Sequence, residues 1–425
     1  MRKMKNSGVA WIGNVPENWE IVKIGQLFQC RNVKVNDTDF QPLSVSKGGI
    51  VPQMENVAKS DANDNRKQVL TGDFVINSRS DRKQSCGVSK LDGSVSLINT
   101  VLYGFDKDRV IPEYNNYLLK NYGFAEEFYR WGHGIVADLW TTRWQEMKSI
   151  EIPVPSIKTQ DNILLALKIK SKNISLLISN QEQQIEKLKQ YKQSLITEVV
   201  TKGLNPDAPI KDSGIKWIGM IPKHWIVKRT KFVANALEKG KGITKEEVIS
   251  DGDIQCVRYG EIYTKYNQGF TDCVSKTNLE IIQPHQFFEH GDILFAGTGE
   301  LVEEIGKNVV YLGNEKCLAG GDIIVMKHNQ DPAFLNYTLN SIYSQKQKSY
   351  GKAKLKVVHI SADNIGNVMI ALPPLDEQQQ IATYLDDKCA KIDRLIAIKQ
   401  EKIDKLNDYK KSLIYEYVTG KREVC

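Results

Sequence analysis

The sequence has few cysteines for its length and no long hydrophobic run. Its 425 residues include seven cysteines, and none of them forms a Cys-x-x-Cys pair, so neither a disulfide framework nor a cysteine zinc site is expected. No apolar run reaches the roughly 18 residues of a membrane span, and the first residues lack the apolar core of a signal peptide. We therefore expect a cytoplasmic protein with reduced thiols and no membrane contact.

The motifs of the common catalytic and nucleotide-binding sites are also missing. There is no Gly-x-Ser-x-Gly for a nucleophilic serine, and Gly306-Lys307 lacks the upstream glycine and the following Ser or Thr of a P-loop. Residues 372–375 contain two adjacent prolines but not the preceding Asn of an adenine methyltransferase motif. The six histidines show no convincing metal-ligand spacing. The sequence therefore predicts a non-catalytic protein without a metal site.

One long stretch of the sequence occurs twice. Residues 155–201 align with residues 373–419 without a gap, and in both copies apolar residues recur three, four and seven positions apart. Neither copy contains Gly before Gly203 or Gly420, and neither contains Pro after its first residues, so each predicts a single helix of about 65–70 Å. The simplest partner for each apolar stripe is the other helix, in a coiled coil. Two amphipathic helices within one globular core are the alternative.

A shorter repeat precedes each variable region. The pattern Trp-Ile-Gly-x-x-Pro-x-x-Trp begins at Trp11 and at Trp217, and each copy is expected to form a compact turn anchored by two indoles. The regions that follow share little beyond short β-rich runs and one continuous helix predicted in each, after Pro112 as far as Phe128 and after Pro332 as far as Ser349. If a pseudo-twofold axis relates the halves, the N-terminal segment lies against the end of the second long helix. The predicted fold class is mixed α/β (α+β). The predicted divisions of the chain are a domain over 1–154, a long helix over 155–205, a domain over 206–372 and a long helix over 373–425.

Basic and amide side chains concentrate in loops between the predicted elements. Residues 346–356 include five lysines and no acid, which suits contacts with nucleic-acid phosphates. Residues 77–84 combine Arg, Asn, Ser and Gln, which hydrogen-bond base edges in a major groove. An ordinary solvated loop is the alternative for each segment. The residues predicted to contact DNA are Ser46, Lys47, Asn77, Arg79, Ser80, Arg82, Lys83, Arg130, His133, Arg143, Arg258, Tyr259, Thr298, Lys346, Lys348, Lys352, Lys354 and Lys356.

These features together resemble a known family. Two variable domains, each opening with the paired-tryptophan pattern and closing with Pro-Pro-Leu-x-Glu-Gln-x-x-Ile before a long helix, resemble the specificity subunit of type I restriction-modification systems. Residues 373–381 fit the closing motif fully, whereas the first copy has Thr159 where the motif has Glu. The resemblance covers essentially the whole chain.

The resemblance implies a function and a set of partners. The two domains would be target recognition domains, each binding one half of a bipartite site in double-stranded DNA. The two helices would form an antiparallel coiled coil that sets the gap between the half-sites. Two adenine-N6 methyltransferase subunits with S-adenosylmethionine would dock on it, and restriction subunits that use ATP and Mg would join in systems that also cleave DNA. The chain itself would hold no cofactor.

Two other functions are compatible with the residues alone. A coiled-coil adaptor that binds only protein would explain the long helices, but it would not explain the acid-free lysine run. A recognition module of a different DNA-modifying, anti-phage complex would share the same architecture.

Overall fold

The computed structural model describes residues 2–53, 65–79, 82–106, 108–134, 140–240, 243–281, 286–352 and 357–424. The chain divides into two compact units. Unit 1 consists of Met1–Glu182 and Gln400–Cys425, and unit 2 consists of Gln183–Lys399. Within the described ranges, no helix is both long enough and apolar enough to cross a membrane.

Unit 1 begins with short strands and helices that precede the first long helix. Its described strands are β1 (Met4–Asn6), β2 (Asn14–Pro16), β3 (Glu20–Lys23), β4 (Phe28–Cys30), β5 (Lys34–Val35), β6 (Leu43–Ser46), β7 (Gly49–Pro52), β8 (Arg66–Val69), β9 (Phe74–Asn77), β10 (Cys86–Val88), β11 (Gly93–Ser96), β12 (Asn99–Gly104) and β13 (Glu151–Val154). Its described helices are α1 (Pro112–Leu118), α2 (Tyr122–Arg130) and α3 (Trp144–Met147), followed by the start of α4 (Ile157–Lys202).

The main sheet of unit 1 is antiparallel and has the strand order β10-β9-β12-β4. Every residue of β9 is buried, as expected for a short continuous apolar run at the centre of a sheet. A second sheet has the order β11-β8-β5. Phe74 of β9 shares one core with Phe124 and Phe128 of α2, so the helices cover the main sheet.

Unit 2 repeats this plan with different strands. Its described strands are β14 (Ile210–Asp212), β15 (Met220–Pro222), β16 (Ile226–Arg229), β17 (Ala234–Lys239), β18 (Ile254–Val257), β19 (Gly269–Phe270), β20 (Ser275–Thr277), β21 (Phe287–Phe288), β22 (Ile293–Ala296), β23 (Thr298–Gly299), β24 (Asn308–Tyr311), β25 (Cys317–Ala319), β26 (Ile323–His328), β27 (Val358–His359) and β28 (Met369–Leu372). Its described helices are α5 (Tyr259–Thr264), α6 (Pro332–Leu339), α7 (Ile342–Ser349) and α8 (Ala362–Gly366), followed by α9 (Leu375–Val418), which continues into unit 1.

The sheets of unit 2 have the orders β17-β26-β22-β24-β19 and β20-β18-β25-β21. The β19–β24 and β18–β25 pairs are parallel, and the other pairs in these sheets are antiparallel. Strand β22 pairs with β26 as β9 pairs with β12 in unit 1. The mixed α/β fold expected from the sequence is therefore confirmed, and both domains use a related scaffold.

The helices predicted after Pro112 and Pro332 are present, but each is broken into two. The breaks fall where Asn121 and Ser341 cap a new helix, their side chains accepting the backbone N–H of Phe124 at 3.0 Å and of Ser344 at 3.4 Å. The prediction of one continuous helix was wrong. The helical spacing of apolar residues continues past Asn121 and Ser341, so the spacing alone does not show that a new helix begins at each of them.

The long helices α4 and α9 pack against each other as an antiparallel pair, which confirms the sequence expectation. In unit 2, Lys192 Nζ donates to both carboxylate oxygens of Asp393 at 2.7 Å, and Lys399 Nζ donates to Gln184 Oε1. Residue numbers rise along one helix as they fall along the other. The apolar stripes are interrupted by polar residues at Gln184 and Lys399, and direct contact between these two side chains fills the interruption.

Each domain packs on segments of both long helices. In unit 1, Ile163 of α4 and Leu413 of α9 belong to the same core as the domain residues. In unit 2, Val200 of α4 and Leu385 of α9 do the same. Burying an aliphatic side chain of this size contributes about 1.5–3 kcal/mol. Each domain is therefore fixed to the helix segments of its own unit by apolar contacts.

The N-terminal segment lies against the end of α9 within unit 1, as the repeat predicts. Tyr415 Oη donates to the carbonyl of Trp11 at 2.7 Å, and Arg2 donates to the carbonyl of Gly420. Gly420 has a φ of +71° and Gly203 a φ of +74°, the left-handed conformation with which glycine commonly ends a helix. The two copies of the long helix therefore end in the same way.

Candidate nucleic-acid interface

Two basic segments that are far apart in the sequence meet on one edge of unit 1. The backbone N–H of Thr142 donates to the carbonyl of Ser78 at 3.0 Å. The backbones of His133 and Thr141 exchange two hydrogen bonds of 3.0 Å, and Arg79 forms a bridge with Thr141. The loop after β9 and the segments on either side of residues 135–139 therefore lie side by side.

Most of the basic side chains on this edge are exposed. The ion pair between Arg130 and Glu127 is 2.7 Å long, yet the Arg130 side chain remains 65% exposed. Lys83 is half-buried, pairs with Glu126 and lies 5.5 Å from the centre of the Tyr129 ring. The Lys83–Glu126 pair is exposed on both sides, and because such pairs contribute only about 0–1 kcal/mol, a phosphate can replace the Glu126 carboxylate at little cost. We define the basic edge of unit 1 as Arg79, Arg82, Lys83, Arg130, His133 and Arg143.

The turn between β6 and β7 packs against the start of β10. A Cβ added to Gly87 would lie 3.3 Å from Gly49 Cα, so the two segments are in close contact. Ser46 Oγ donates to the carbonyl of Gly49 at 3.0 Å and accepts the N–H of Gly48 at 3.2 Å. The Ser46 hydroxyl therefore stabilises the turn, while Lys47 at its tip is exposed and able to reach outward.

Three of the predicted contact residues are buried, which corrects the expectation that they lie on the surface. Asn77 and Thr298 are each only 7% exposed. The Asn77 side chain accepts the backbone N–H of Arg79 at 3.0 Å, and Thr298 Oγ1 lies 3.1 Å from His359 Nδ1. Both side chains shape the loops that follow their strands rather than pointing outward.

Lys348 is the third buried residue, with 2% of its surface exposed. Its ammonium group donates to the carbonyls of Gly306 at 2.6 Å and Leu339 at 2.9 Å, and it lies 3.4 Å from Asn308 Oδ1. Burial lowers the pKa of Lys348 to about 7. A lysine run without acids suggested exposure, but Lys348 lies one helical turn after the buried Ser344, a placement that only the structure shows.

Replacing Lys348 with Met is expected to change the stability of unit 2 in a pH-dependent way. Because the pKa in the folded protein lies below that of an unfolded lysine, the unfolded chain binds more protons between about pH 7 and pH 10. The stability that Lys348 confers therefore rises with pH across that window. In calorimetry, the Tm of the wild type minus the Tm of Lys348→Met should increase from pH 7 to pH 9. A difference that is constant with pH would show that Lys348 titrates as an ordinary lysine.

Helix α5 contributes to a groove of about 710 Å³ in unit 2. Arg258 and the exposed Tyr259 line it, as do Lys245 and Lys265. Arg258 pairs at 3.4 Å with Glu261, which is buried and also accepts the Ser275 hydroxyl at 2.6 Å. This pairing holds the guanidinium group at the wall of the groove.

A second groove of about 490 Å³ lies on unit 2, with Lys346 and Tyr263 in its lining. It also includes Lys307, whose pKa is lowered by burial, and the amides of Asn267 and Gln345. Four residues that line the grooves were not predicted from the sequence: Lys245, Lys265, Lys307 and Asn267. Residues 263–268 combine two tyrosines, a lysine and two amide side chains, a pattern that could have revealed part of the lining of both grooves.

Lys352 lies in the segment after α7. Lys352 Nζ donates to the carbonyl of His359 at 2.8 Å and to Asn364 Oδ1 at 3.1 Å, which ties this segment to β27 and α8. Ser80, Lys354 and Lys356 lie outside the described residues.

The corresponding edges of the two units share their backbone but not their side chains. In unit 2 the N–H of Ile360 donates to the carbonyl of Gly297 at 2.9 Å, as Thr142 does to Ser78 in unit 1. The next residue is the exposed Arg79 in unit 1 and the buried Thr298 in unit 2. One scaffold therefore presents two chemically different surfaces.

Comparison with known proteins adds a family assignment. Residues 222–408 match the family described as the type I restriction modification DNA specificity domain. Over 99% of its length the chain is 24% identical to the putative type I restriction enzyme MjaX specificity subunit of Methanocaldococcus jannaschii, of which 98% is covered.

Solved structures with the same fold include a chain of a type I R-M system described for its complex assembly and conformational transition. That chain is 16% identical, with a TM-score of 0.70 over 96% of this chain and 99% of that one. The HsdS subunit from Thermoanaerobacter tengcongensis is 17% identical, with a TM-score of 0.50 over 96% and 98% of the two chains. These TM-scores establish a shared fold.

Proposed function

Since the chain belongs to the specificity subunits of type I restriction-modification systems, we propose that it is the non-catalytic subunit that selects a bipartite DNA site. Domain 1–154 reads one half-site and domain 206–372 reads the other. The α4–α9 pair sets the gap and docks two adenine-N6 methyltransferase subunits. S-adenosylmethionine binds in those partners, and ATP and Mg bind in restriction subunits where these are present.

The observation that carries this proposal is the pair of unlike surfaces on one repeated scaffold. The basic edge of unit 1 has exposed guanidinium groups, which can bind phosphates or pair with guanine in the major groove. Unit 2 instead has grooves lined by Arg258, Tyr259 and Lys346. A protein that recognises two different half-sites needs this combination of a common frame and separate contact residues.

The lysine segment after α7 provides a test of the proposed DNA contacts in unit 2. Replacing Lys352, Lys354 and Lys356 with Ala is expected to weaken binding to all duplexes equally. The slope of log affinity against log salt should fall by about one for each lysine–phosphate interaction that the substitutions remove. Fluorescence anisotropy of the purified chain, at several salt concentrations and with two unrelated duplexes, measures both effects.

Lys168, Lys170 and Lys172 provide the matched control, because they are exposed on α4 and their replacement removes the same charge. The control variant should keep the wild-type slope. If the test variant bound only one of the two duplexes more weakly, its lysines would be reading bases rather than phosphates. Equal slopes for both variants would remove this segment from the interface.

A further inference from the structure

The paired-tryptophan turn of unit 2 is fixed to the start of α9 by a carboxylate. Glu377 Oε2 accepts the indole N–H of the buried Trp225 at 3.0 Å, and His224 Nε2 lies 2.8 Å from the same oxygen. Glu377 lies in the first turn of a long helix, where the helix dipole favours a negative charge. One carboxylate thus joins the turn, the indole and the helix start.

Unit 1 lacks this carboxylate. The repeat places Trp19 at the position of Trp225 and Thr159 at that of Glu377, and the first turn of α4 contains no acidic residue. The Thr159 hydroxyl lies 3.0 Å from Ser156 Oγ, so it is engaged within its own helix start. Trp19 is only 2% exposed, and within the described part of the chain its indole N–H makes no hydrogen bond to another residue, although the nitrogen itself keeps some contact with solvent.

A cavity of about 220 Å³ lies beside these residues in unit 1. Asn18, Trp19 and Thr159 line it together with two cations, Arg2 and Arg422. Arg2 lies 6.0 Å from the centre of the Trp19 ring and donates one N–H to the backbone, which leaves further N–H groups of its guanidinium for a ligand. Arg422 pairs with Glu416 at 2.8 Å, and its side chain is 39% exposed. The exposed Glu423 also lines the cavity.

We propose that this cavity binds a free oxyanion, a phosphate or a small carboxylate, which takes the place of the Glu377 carboxylate. The positive end of α4, the indole N–H and the two guanidinium groups all favour a negative charge there. A bound oxyanion would join the Trp19 turn to the start of α4, as Glu377 does for Trp225. The ligand would therefore stabilise unit 1 and not unit 2.

Thr159→Glu tests the proposal, because it restores the missing carboxylate within the chain. Thr159→Gln is the matched control, because the Gln side chain has the same length as that of Glu and carries no charge. Thermal unfolding of the full chain is measured with inorganic phosphate, with acetate and with chloride at equal ionic strength. We expect phosphate or acetate to raise the unit 1 transition of the wild type and of Thr159→Gln by about 2–4 °C relative to chloride. In chloride, the unit 1 transition of Thr159→Glu should lie above that of the wild type. Phosphate or acetate should raise it by much less.

The comparison of phosphate with acetate identifies the preferred oxyanion. A response to either one that exceeds the response to chloride supports the site. Equal transitions in phosphate, acetate and chloride would overturn the proposal. A full phosphate response in Thr159→Glu would overturn it as well, because an adventitious ion only would then explain the effect. If Thr159→Glu does not fold, Arg422→Gln serves instead: phosphate affinity, followed by tryptophan fluorescence, should fall at least fivefold, and unchanged affinity would overturn the proposal.

Discussion

Replacing Arg79, Arg82 and Arg130 with Ala is expected to lower the affinity of the chain for its DNA site by about a hundredfold at about 0.15 M salt. Each phosphate interaction contributes roughly a factor of five under these conditions through counterion release, so the removal of three of them multiplies to that value. The three side chains are exposed on the basic edge of unit 1. Anisotropy titrations at several salt concentrations measure the affinity and should show a slope reduced by about three.

This variant also tests whether the two half-sites are recognised by different units. Its changes lie in unit 1 alone. Wherever one of the three arginines pairs with guanine rather than with a phosphate, recognition should therefore become less selective in that half of the bipartite motif and stay unchanged in the other. Lys158, Lys168 and Lys172 on α4 provide a control with the same reduction of charge. If the affinity of the control variant fell as far as that of the arginine variant, the effect would follow from net charge, and the basic edge would have no special role.

Lengthening both long helices together is expected to widen the recognised gap by one or two base pairs. Four residues inserted after Gln183 in α4 and four after Glu401 in α9 add about 6 Å of helix, compared with a rise of about 3.4 Å per base pair. Both helices must change, because an insertion in one alone would move Lys192 out of register with Asp393. Mapping the methylated sites made by the variant complex measures the new gap.

Four substitutions to Ala over the same positions, without a change in length, provide the control for this experiment. The control complex should methylate the wild-type motif. A lengthened complex that stays active on the original gap would contradict the role of the helices as a spacer.

The parts of the fold that could be predicted are those that neighbouring residues determine. The spacing of apolar residues in 155–201 and 373–419 reports directly which face of each helix is buried, so the pairing of the two helices was expected before the structure. Their antiparallel direction was implied by the resemblance to the specificity subunits. The contact between the N-terminal segment and the end of α9 followed from the repeat. Caps such as Asn121 were less visible, because one polar residue does not interrupt an apolar period.

The parts that could not be predicted depend on contacts between distant segments. Lys348 is buried because carbonyls of Gly306 and Leu339 surround its ammonium group, and no local pattern of residues 346–356 encodes that. The basic edge exists because Thr142 pairs with Ser78 across an unrelated stretch of chain. Exposure of the arginines could be guessed from composition, but their proximity to one another required the tertiary structure.

The most direct test of the central claim is to co-express the chain with the proposed methyltransferase partner and map N6-methyladenine across the genome. Two unlike domains on a fixed pair of helices predict one motif, made of two unrelated halves at a constant separation. Methylation of a short continuous motif, or of two halves at variable separation, would contradict the account. An absence of new methylation, with the complex shown to be assembled and bound to S-adenosylmethionine, would contradict it equally.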